Sequence, residues 1–209
     1  MFKVAVIGGG ASGLACAIEI MHTVKNRDDV RVTVLEKLPR VGKKILVTGN
    51  GRCNLTNMNS ATSGFRGDTD FAYAVLNEYT PESNIKFFNE MGLYTRVEDE
   101  GRVYPLSNQA SSVLDALRFE CERLGIEIVC DYNVVHVKSV FNGAVQKIVV
   151  NNKDRFDFVV VSAGGKAAKV HGTDGDSYDL LKMTGHKITP IAPALVSLNC
   201  DNLDRKSVV

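Results

Sequence analysis

The strongest constraint in this sequence is a glycine-rich turn between an apolar run and a helix-like pattern. Residues 8–13 match G-x-G-x-x-G. Residues 4–7, before the turn, are apolar and rich in β-branched side chains, which is typical of a buried parallel strand. Residues 11–24, after it, carry apolar side chains at helical spacing, and residues 30–35 form a second β-branched run. The pattern predicts a strand–helix–strand unit of the dinucleotide-binding type.

Each position of the turn has a physical role in this interpretation. Gly8 lets the chain turn sharply out of the strand, and Gly10 lets a pyrophosphate approach the backbone. Gly13 allows the helix to pack close to the sheet. At Ala11 and Ser12 the free N–H groups and the positive end of the helix dipole would face the phosphates. A glycine-rich turn that binds nothing is the alternative.

A carboxylate follows the second strand. Glu36 stands where it can accept hydrogen bonds from both hydroxyls of an adenosine ribose, and it would repel a 2′-phosphate. The ribose is therefore expected to be unphosphorylated, as in FAD or NAD. Lys37, the next residue, also belongs to the candidate cofactor-binding residues.

The rest of the chain predicts an α/β fold with a parallel sheet. After an irregular segment over 37–68, the expected helices are 68–79, 80–92, 109–124 and 176–183, and two short strands lie within 94–104. Beyond Gly125 the period changes to two, so an antiparallel three-strand crossover is expected at 126–130, 134–140 and 145–150, with a turn at Asn142-Gly143. An apolar strand follows at 156–162, and 187–198 is expected to be extended.

Here antiparallel strands interrupt the alternation of parallel strands and helices. In this the chain resembles the FAD-binding oxidoreductases of the glutathione-reductase-like superfamily. A classical NAD dehydrogenase would continue with alternating strands and helices. In that superfamily the last strand ends in a small-residue motif close to FAD, which implies such a role for Ala163, Gly164 and Gly165. The resemblance also implies that the backbone of Val134 contacts adenine, and a simple core position is the compatible alternative.

The most distinctive segment is the loop over residues 42–57. Its glycines permit positive φ and close backbone approach, its cations can pair with phosphate, and its asparagines can bind the polar edge of a ring. Successive backbone N–H groups in such loops can also form anion-binding nests. The candidate cofactor-binding residues here are Gly42, Lys43, Lys44, Thr48, Gly49, Asn50, Gly51, Arg52, Cys53 and Asn54.

This loop is similar to the signature of a family of bacterial FAD-dependent oxidoreductases, described as aminoacetone-oxidase-like or 3-dehydro-bile-acid-reductase-like. Residues 101–105, 172–186 and 193–196 match in the same order. The resemblance implies a Rossmann-like FAD-binding domain over residues 1–190, with 126–150 as a β-meander insertion, and the start of a truncated second domain over 191–209. Members of this family are longer than this chain, so the resemblance implies that a segment outside this chain completes the cofactor site.

Three single residues leave alternatives open. Cys53 is either a structural or a redox cysteine, and the structural interpretation is favoured. His186 is interpreted as a helix-end residue rather than a base. Arg102 contacts a ligand or pairs with Glu98 or Glu100.

Composition excludes little but favours an ordinary soluble protein. The net charge is +1, which gives no indication of nucleic acid or an anionic membrane as partner. The five cysteines form no C-x-x-C pair and the four histidines are scattered, so no metal site or disulfide scaffold is predicted. We expect a cytoplasmic protein.

The expected function is an oxidoreductase in which non-covalent FAD carries the redox step on a small organic substrate, with NAD(P)H as a possible electron donor. No catalytic residue is assigned, and the oligomeric state stays open. The alternatives are an NAD-dependent dehydrogenase and a non-catalytic nucleotide-binding or RNA-associated module.

Overall fold

A computed structural model describes residues 1–60, 65, 68–142 and 145–192. The strands are β1 (Phe2–Ile7), β2 (Val30–Leu35), β3 (Thr56–Asn57), β4 (Thr95–Val97), β5 (Arg102–Pro105), β6 (Glu127–Val129), β7 (Val137–Asn142), β8 (Val145–Val150), β9 (Asp154–Phe156) and β10 (Phe158–Val161). The α-helices are α1 (Ala11–Thr23), α2 (Thr69–Glu78), α3 (Pro81–Glu90), α4 (Ala110–Arg123) and α5 (Asp176–Met183).

The central layer is a four-stranded parallel sheet in the order β10-β1-β2-β6. Ile7 at the end of β1 lies beside Leu35 on one neighbour and Val161 on the other. Three strands therefore end at the same edge, and the segments that follow them start close together. Ligands of open α/β sheets bind outside this carboxyl edge.

Successive side chains of β1 point to opposite faces of the sheet, so the core consists of two layers. Val4 and Val6 pack with Leu14 and Ile18 of α1 on one face of the sheet. Ala5 and Ile7 point to the opposite face and pack in a second buried cluster, which includes residues of β7, β8 and α5. A strand buried on both faces explains why residues 4–7 form an unbroken apolar run.

The helix boundaries follow the predicted end signals. Asp68 caps α2 by accepting a hydrogen bond from the N–H of Phe71 at 3.2 Å. Thr80 caps α3 by accepting one from Ser83, also at 3.2 Å, and Pro81 occupies the first turn as expected. None of the described helices combines the length and the apolarity that crossing a membrane requires.

The fold class is confirmed, and two of the three strands predicted for the antiparallel crossover, 134–140 and 145–150, correspond to the antiparallel pair β7 and β8. The third predicted strand belongs elsewhere. Residues 127–129 do not belong to the crossover, because β6 pairs parallel with β2, with Leu35 beside Val129. Helix α4 packs beside α1 and returns the chain to the open edge of β2. The antiparallel sheet of the crossover is β7-β8-β9, so the insertion covers 137–156 rather than 126–150. A separate antiparallel sheet has the order β3-β5-β4.

The run predicted as one strand over 156–162 is divided in two. Asp157 separates β9 from β10, and its backbone N–H donates to the carbonyl of Lys3 at 2.8 Å. The expected turn at Gly143 and the match at residues 193–196 lie outside the described residues. The domain boundary at 190/191 stays a prediction.

Candidate dinucleotide-binding site

The glycine-rich turn connects β1 to α1 at the carboxyl edge of the sheet. Gly8 has a φ of 107°, in the region that favours glycine, and its N–H donates to the carbonyl of Leu35 at 2.8 Å. Gly10 caps α1 in an extended conformation, without a side-chain cap and without an acidic residue in the first turn. The N–H groups at the start of α1 are therefore left for an external acceptor.

The three motif glycines are required for different reasons. A Cβ on Gly13 would lie 1.9 Å from the carbonyl oxygen of Gly8, which matches its predicted role in close helix–strand packing. A Cβ on Gly8 would lie 2.6 Å from the carbonyl oxygen of Ser162. A Cβ on Gly10 would meet no atom within 4 Å. Packing accounts for Gly8 and Gly13, whereas the space beside Gly10 is open.

Glu36 is fixed to the turn by its carboxylate. This side chain follows β2, is 9% exposed, and accepts hydrogen bonds from the N–H groups of Gly9 at 2.7 Å and Leu38 at 2.9 Å. An ionised carboxylate can accept about four hydrogen bonds, so it retains capacity for a ligand.

A cavity of about 440 Å³ opens beside Gly10 and Glu36. This volume lies within the usual range for small-molecule and cofactor sites. The predicted site residues that line it are Gly10, Ala11, Ser12, Glu36, Gly42, Lys43, Lys44, Thr48, Cys53, Asn54 and Gly164. The segments after β1, β2 and β10 all contribute, as expected at a shared carboxyl edge.

A smaller cavity of about 40 Å³ adjoins the first through Glu36. Its lining includes the predicted residues Gly8, Lys37, Val134 and Ala163. Val134 is 5% exposed and belongs to the second core cluster, so it is a core residue beside the cavity. The predicted residues that line neither cavity are Gly13, Gly49, Asn50, Gly51, Arg52 and Gly165.

The loop over residues 42–57 is folded against the turn. The N–H of Gly42 donates to the carbonyl of Gly9 at 2.8 Å. Within the 3₁₀ segment Ile45–Gly51, Gly49 and Asn50 have φ values of 54° and 56°, which kinks the segment. The predicted positive φ in this loop is confirmed. Lys43 and Lys44 lie on the cavity wall.

Arg52 was predicted to supply donors to phosphate, but its donors bind the protein itself. The guanidinium forms an ion pair with Glu98, donates to Asn108 at 2.9 and 3.1 Å, and lies 3.9 Å from the centroid of the Tyr104 ring. The hydrogen bond to Glu98 raises the pKa of Arg52, and the same bond holds the pKa of Glu98 below its usual value. Arg52 therefore anchors the loop. Arg102 pairs with Glu100 at 3.4 Å.

Lys37 connects β2 to the segment before α5. Its ammonium donates to both carboxylate oxygens of Asp174 and to Asp176, each at 2.9 Å. Partial burial disfavours the charged form, but these hydrogen bonds outweigh it and raise the pKa of Lys37. The hydrogen bond from Lys37 in turn lowers the pKa of Asp174. Lys37 thus fixes the residues 172–176 beside Glu36.

Cys53 is a buried thiol beside the main cavity. It is 8% exposed, and burial raises the pKa of its thiol, although a contact with Thr48 opposes this in part. The thiolate is the reactive form of cysteine, so these surroundings support the structural interpretation.

Several lining residues were missed by sequence reasoning, namely Leu38, Arg40, His171, Gly172 and Thr173. Arg40 joins Lys43 and Lys44 as a cation on the wall, and none of the three forms an ion pair with a carboxylate in the described part of the chain. Glu36 is the acidic residue on the same wall. The cavity therefore favours an anionic ligand.

A strand–turn–helix with open N–H groups, a carboxylate after the next parallel strand and a cationic cavity define a Rossmann-type dinucleotide-binding domain. The chain belongs to the family described as "HI0933-like protein Rossmann domain", whose model matches residues 2–207. The resemblance to an FAD-binding family that was inferred from residues 42–57 is thereby confirmed.

The chain is 40% identical over 201 residues to the 3-dehydro-bile acid delta(4,6)-reductase of Clostridium scindens, covering 95% of this chain and 47% of that protein. It is 25% identical over 204 residues to the ribosomal RNA dihydrouridine synthase of Haemophilus influenzae, covering 96% of this chain and 49% of that protein. The chain thus spans about half the length of these curated relatives. The crystal structure of Thermovibrio ammonificans THI4 shares the fold, with a TM-score of 0.54 and 15% identity over 89% of this chain and 64% of that one.

Proposed function

We propose that this chain is the FAD-binding part of a flavoprotein oxidoreductase. The observation that carries the proposal is the open space beside Gly10, at the uncapped start of α1 and next to the carboxylate of Glu36. A glycine that packing does not require, at a point where backbone N–H groups are free, is suited to a pyrophosphate. Family membership favours FAD over NAD as the dinucleotide.

In this proposal different residues bind different parts of the cofactor. The N–H groups of Ala11 and Ser12 bind the pyrophosphate, and Lys43 and Lys44 add positive charge. Glu36 accepts hydrogen bonds from the adenosine ribose while it keeps its bonds to the turn. When bound, FAD supplies the transfer of electrons, and no residue of this chain is assigned to the bond-making step.

We further propose that the whole protein reduces a carbon–carbon double bond conjugated to a carbonyl group in a small organic molecule. Support comes from the name of the 40% identical relative, a delta(4,6)-reductase of a 3-dehydro bile acid. Such a reduction adds a hydride equivalent to one carbon and a proton to the other. NADH or NADPH is the proposed source of the electrons.

A second candidate is the reduction of uridine in RNA. It is favoured by the 25% identical relative, named as a ribosomal RNA dihydrouridine synthase. The chemistry is the same class, since dihydrouridine is uridine with its ring double bond saturated. The lower identity and a net charge of +1 make RNA the weaker proposal.

A visible spectrum and stopped-flow reduction of the purified protein by NADH and NADPH test these proposals. We expect a yellow protein whose released cofactor chromatographs as FAD and whose absorbance bleaches with one of the two donors. Turnover with a 3-oxo-Δ4,6 steroid acid but not with a uridine-containing ribosomal RNA fragment supports the small-molecule assignment, and the reverse supports RNA. A colourless protein that binds NAD would overturn the flavoprotein proposal.

The proposed setting is the cytoplasm. Cys16, Cys53, Cys121 and Cys130 are all free thiols, as is usual in a reducing compartment.

A further inference from the structure

One residue that lines the main cavity has a buried polar atom without a hydrogen-bond partner in the described part of the chain. The Nδ1 atom of His171 is buried and has no hydrogen-bond partner among the described residues, although His171 lines the main cavity. Most buried polar side-chain atoms in proteins have a partner, and leaving one unpaired is costly. This nitrogen therefore calls for a partner supplied by a ligand.

Hydrogen bonds around His171 hold the short turn that carries its imidazole. Ala168 and Gly172 flank this short turn in left-handed conformations, and the N–H of His171 donates to the carbonyl of Ala168 at 2.9 Å. The hydroxyl of Thr173 lies within hydrogen-bonding distance of the carbonyls of Ala167 and Ala168. Three residues after His171, Asp174 is held by Lys37. The segment is thus anchored on both sides of the histidine.

This anchoring places His171 at the Glu36 end of the cavity. A Cβ on Gly172 would come within 2.8 Å of Leu38 Cδ1, so the side chain of Leu38 packs against the backbone of Gly172. Leu38 in turn donates its N–H to the carboxylate of Glu36 at 2.9 Å. Under the proposed function, Glu36 binds the adenosine ribose, so the neighbouring ligand atoms belong to the adenosine half.

We propose that Nδ1 of His171 hydrogen-bonds the adenosine half of the cofactor and thereby positions it. The inference rests on the proposed function, because it assumes a dinucleotide in this cavity. A ribose hydroxyl can both donate and accept, so it suits either tautomer of the imidazole. His171 is a binding and positioning residue here, and no step of the reaction is assigned to it.

The test compares three substitutions at this position in the purified apoprotein. His171→Ala removes the nitrogen. His171→Asn keeps a polar atom bonded to Cγ, where Nδ1 stands, whereas His171→Gln moves the polar atoms one bond further, towards the position of Nε2. Dissociation constants are measured by titration with FAD, followed by flavin fluorescence, and with ADP and FMN, followed by calorimetry.

We expect His171→Ala to raise the dissociation constants of FAD and ADP to the same extent, by about five- to tenfold for one lost hydrogen bond. His171→Asn should restore most of the affinity, and His171→Gln should not. The melting temperature of the apoprotein should not fall in His171→Ala, because the lost nitrogen has no protein partner. A purely structural histidine would instead lower it.

The outcomes separate this inference from the proposed function. If the natural protein binds neither FAD nor ADP, the proposed function fails. If it binds FAD and His171→Ala binds FAD equally well, the proposed function stands and the role of His171 is overturned. Weaker binding of FAD and FMN with unchanged binding of ADP would place the histidine at the flavin half and would also contradict the inference.

Discussion

The carboxylate of Glu36 accepts a hydrogen bond from the N–H of Gly9 at 2.7 Å, so the end of β2 is bonded to the turn that follows β1. The same carboxylate lines the main cavity. Glu36 therefore serves the fold and the proposed ribose site at once, and its substitutions should affect both.

Glu36→Ala should destabilise the apoprotein by about 1–3 kcal/mol, because it leaves the N–H groups of Gly9 and Leu38 without their acceptor. Glu36→Gln keeps one acceptor oxygen and should lose less stability than Glu36→Ala. Urea unfolding of the apoprotein measures both values. Equal stability of Glu36→Ala and the natural protein would show that the carboxylate does not hold the turn.

Gly13→Ala should destabilise the protein by about 1–3 kcal/mol, as overpacking usually does, because the new Cβ would lie 1.9 Å from the backbone oxygen of Gly8. Gly10→Ala is the matched control in the same motif. Its Cβ meets no atom within 4 Å, so its melting temperature should stay close to that of the natural protein. If both substitutions cost the same stability, the two glycines do not differ as the structure indicates.

Glu120 should make the protein sensitive to acid. This 7% exposed carboxylate of α4 is bonded to Arg123 at 2.6 and 2.7 Å and to His22 at 2.8 Å. The bonds from Arg123 outweigh the opposing effect of burial and, with the help of His22, lower the pKa of Glu120 to about 2.

Because the folded-state pKa is lowered, this stabilisation is complete above the ordinary pKa near 4.5 and is lost as the pH falls towards about 2. Glu120→Gln should cost about 1.5–3 kcal/mol at pH 7, typical of hydrogen bonds to a charged group, and much less near pH 2. Glu122→Gln, at an exposed position of the same helix, is the control. A cost of Glu120→Gln that does not change with pH would contradict this assignment.

Arg52→Ala should loosen the loop over residues 42–57, because it removes the contacts with Glu98, Asn108 and Tyr104 together. We expect faster amide hydrogen exchange in this loop and a lower melting temperature of the protein. Arg31→Ala is the comparison: Arg31 is 60% exposed in its side chain and lies 4.0 Å from Glu127, and such a pair contributes about 0–1 kcal/mol. Unchanged exchange in Arg52→Ala would contradict the role of the arginine in anchoring the loop.

The first part of the fold could be predicted because its signals are local. Strand β1, the turn and α1 follow one another in the sequence, and the spacing that marks each is a property of a few residues. The partner of β6 could not be predicted in the same way. A short strand such as Glu127–Val129 is equally compatible with parallel and antiparallel pairing, and the position of α4 decides which edge it meets.

The candidate site, like the fold, could be predicted only in part. The turn and Glu36 were found from their pattern, whereas the partners of Lys37 and Arg52 were not. Lys37 was predicted to bind the cofactor and Arg52 to supply donors to phosphate, because a sequence gives charge without distance, and the structure pairs them with Asp174 and Glu98. His171 carries no local signal, since only the return of the chain after β10 brings it to the cavity.

The most direct test of the central claim is the dissociation constant of FAD for Gly10→Val. The conformation of Gly10, with φ −82° and ψ −173°, is open to any residue, and an added Cβ would meet no atom within 4 Å. We predict an apoprotein with a nearly unchanged melting temperature and an affinity for FAD lowered by about tenfold or more, since the branched side chain fills the place of the pyrophosphate. A Gly10→Val protein that binds FAD as tightly as the natural one would contradict the account.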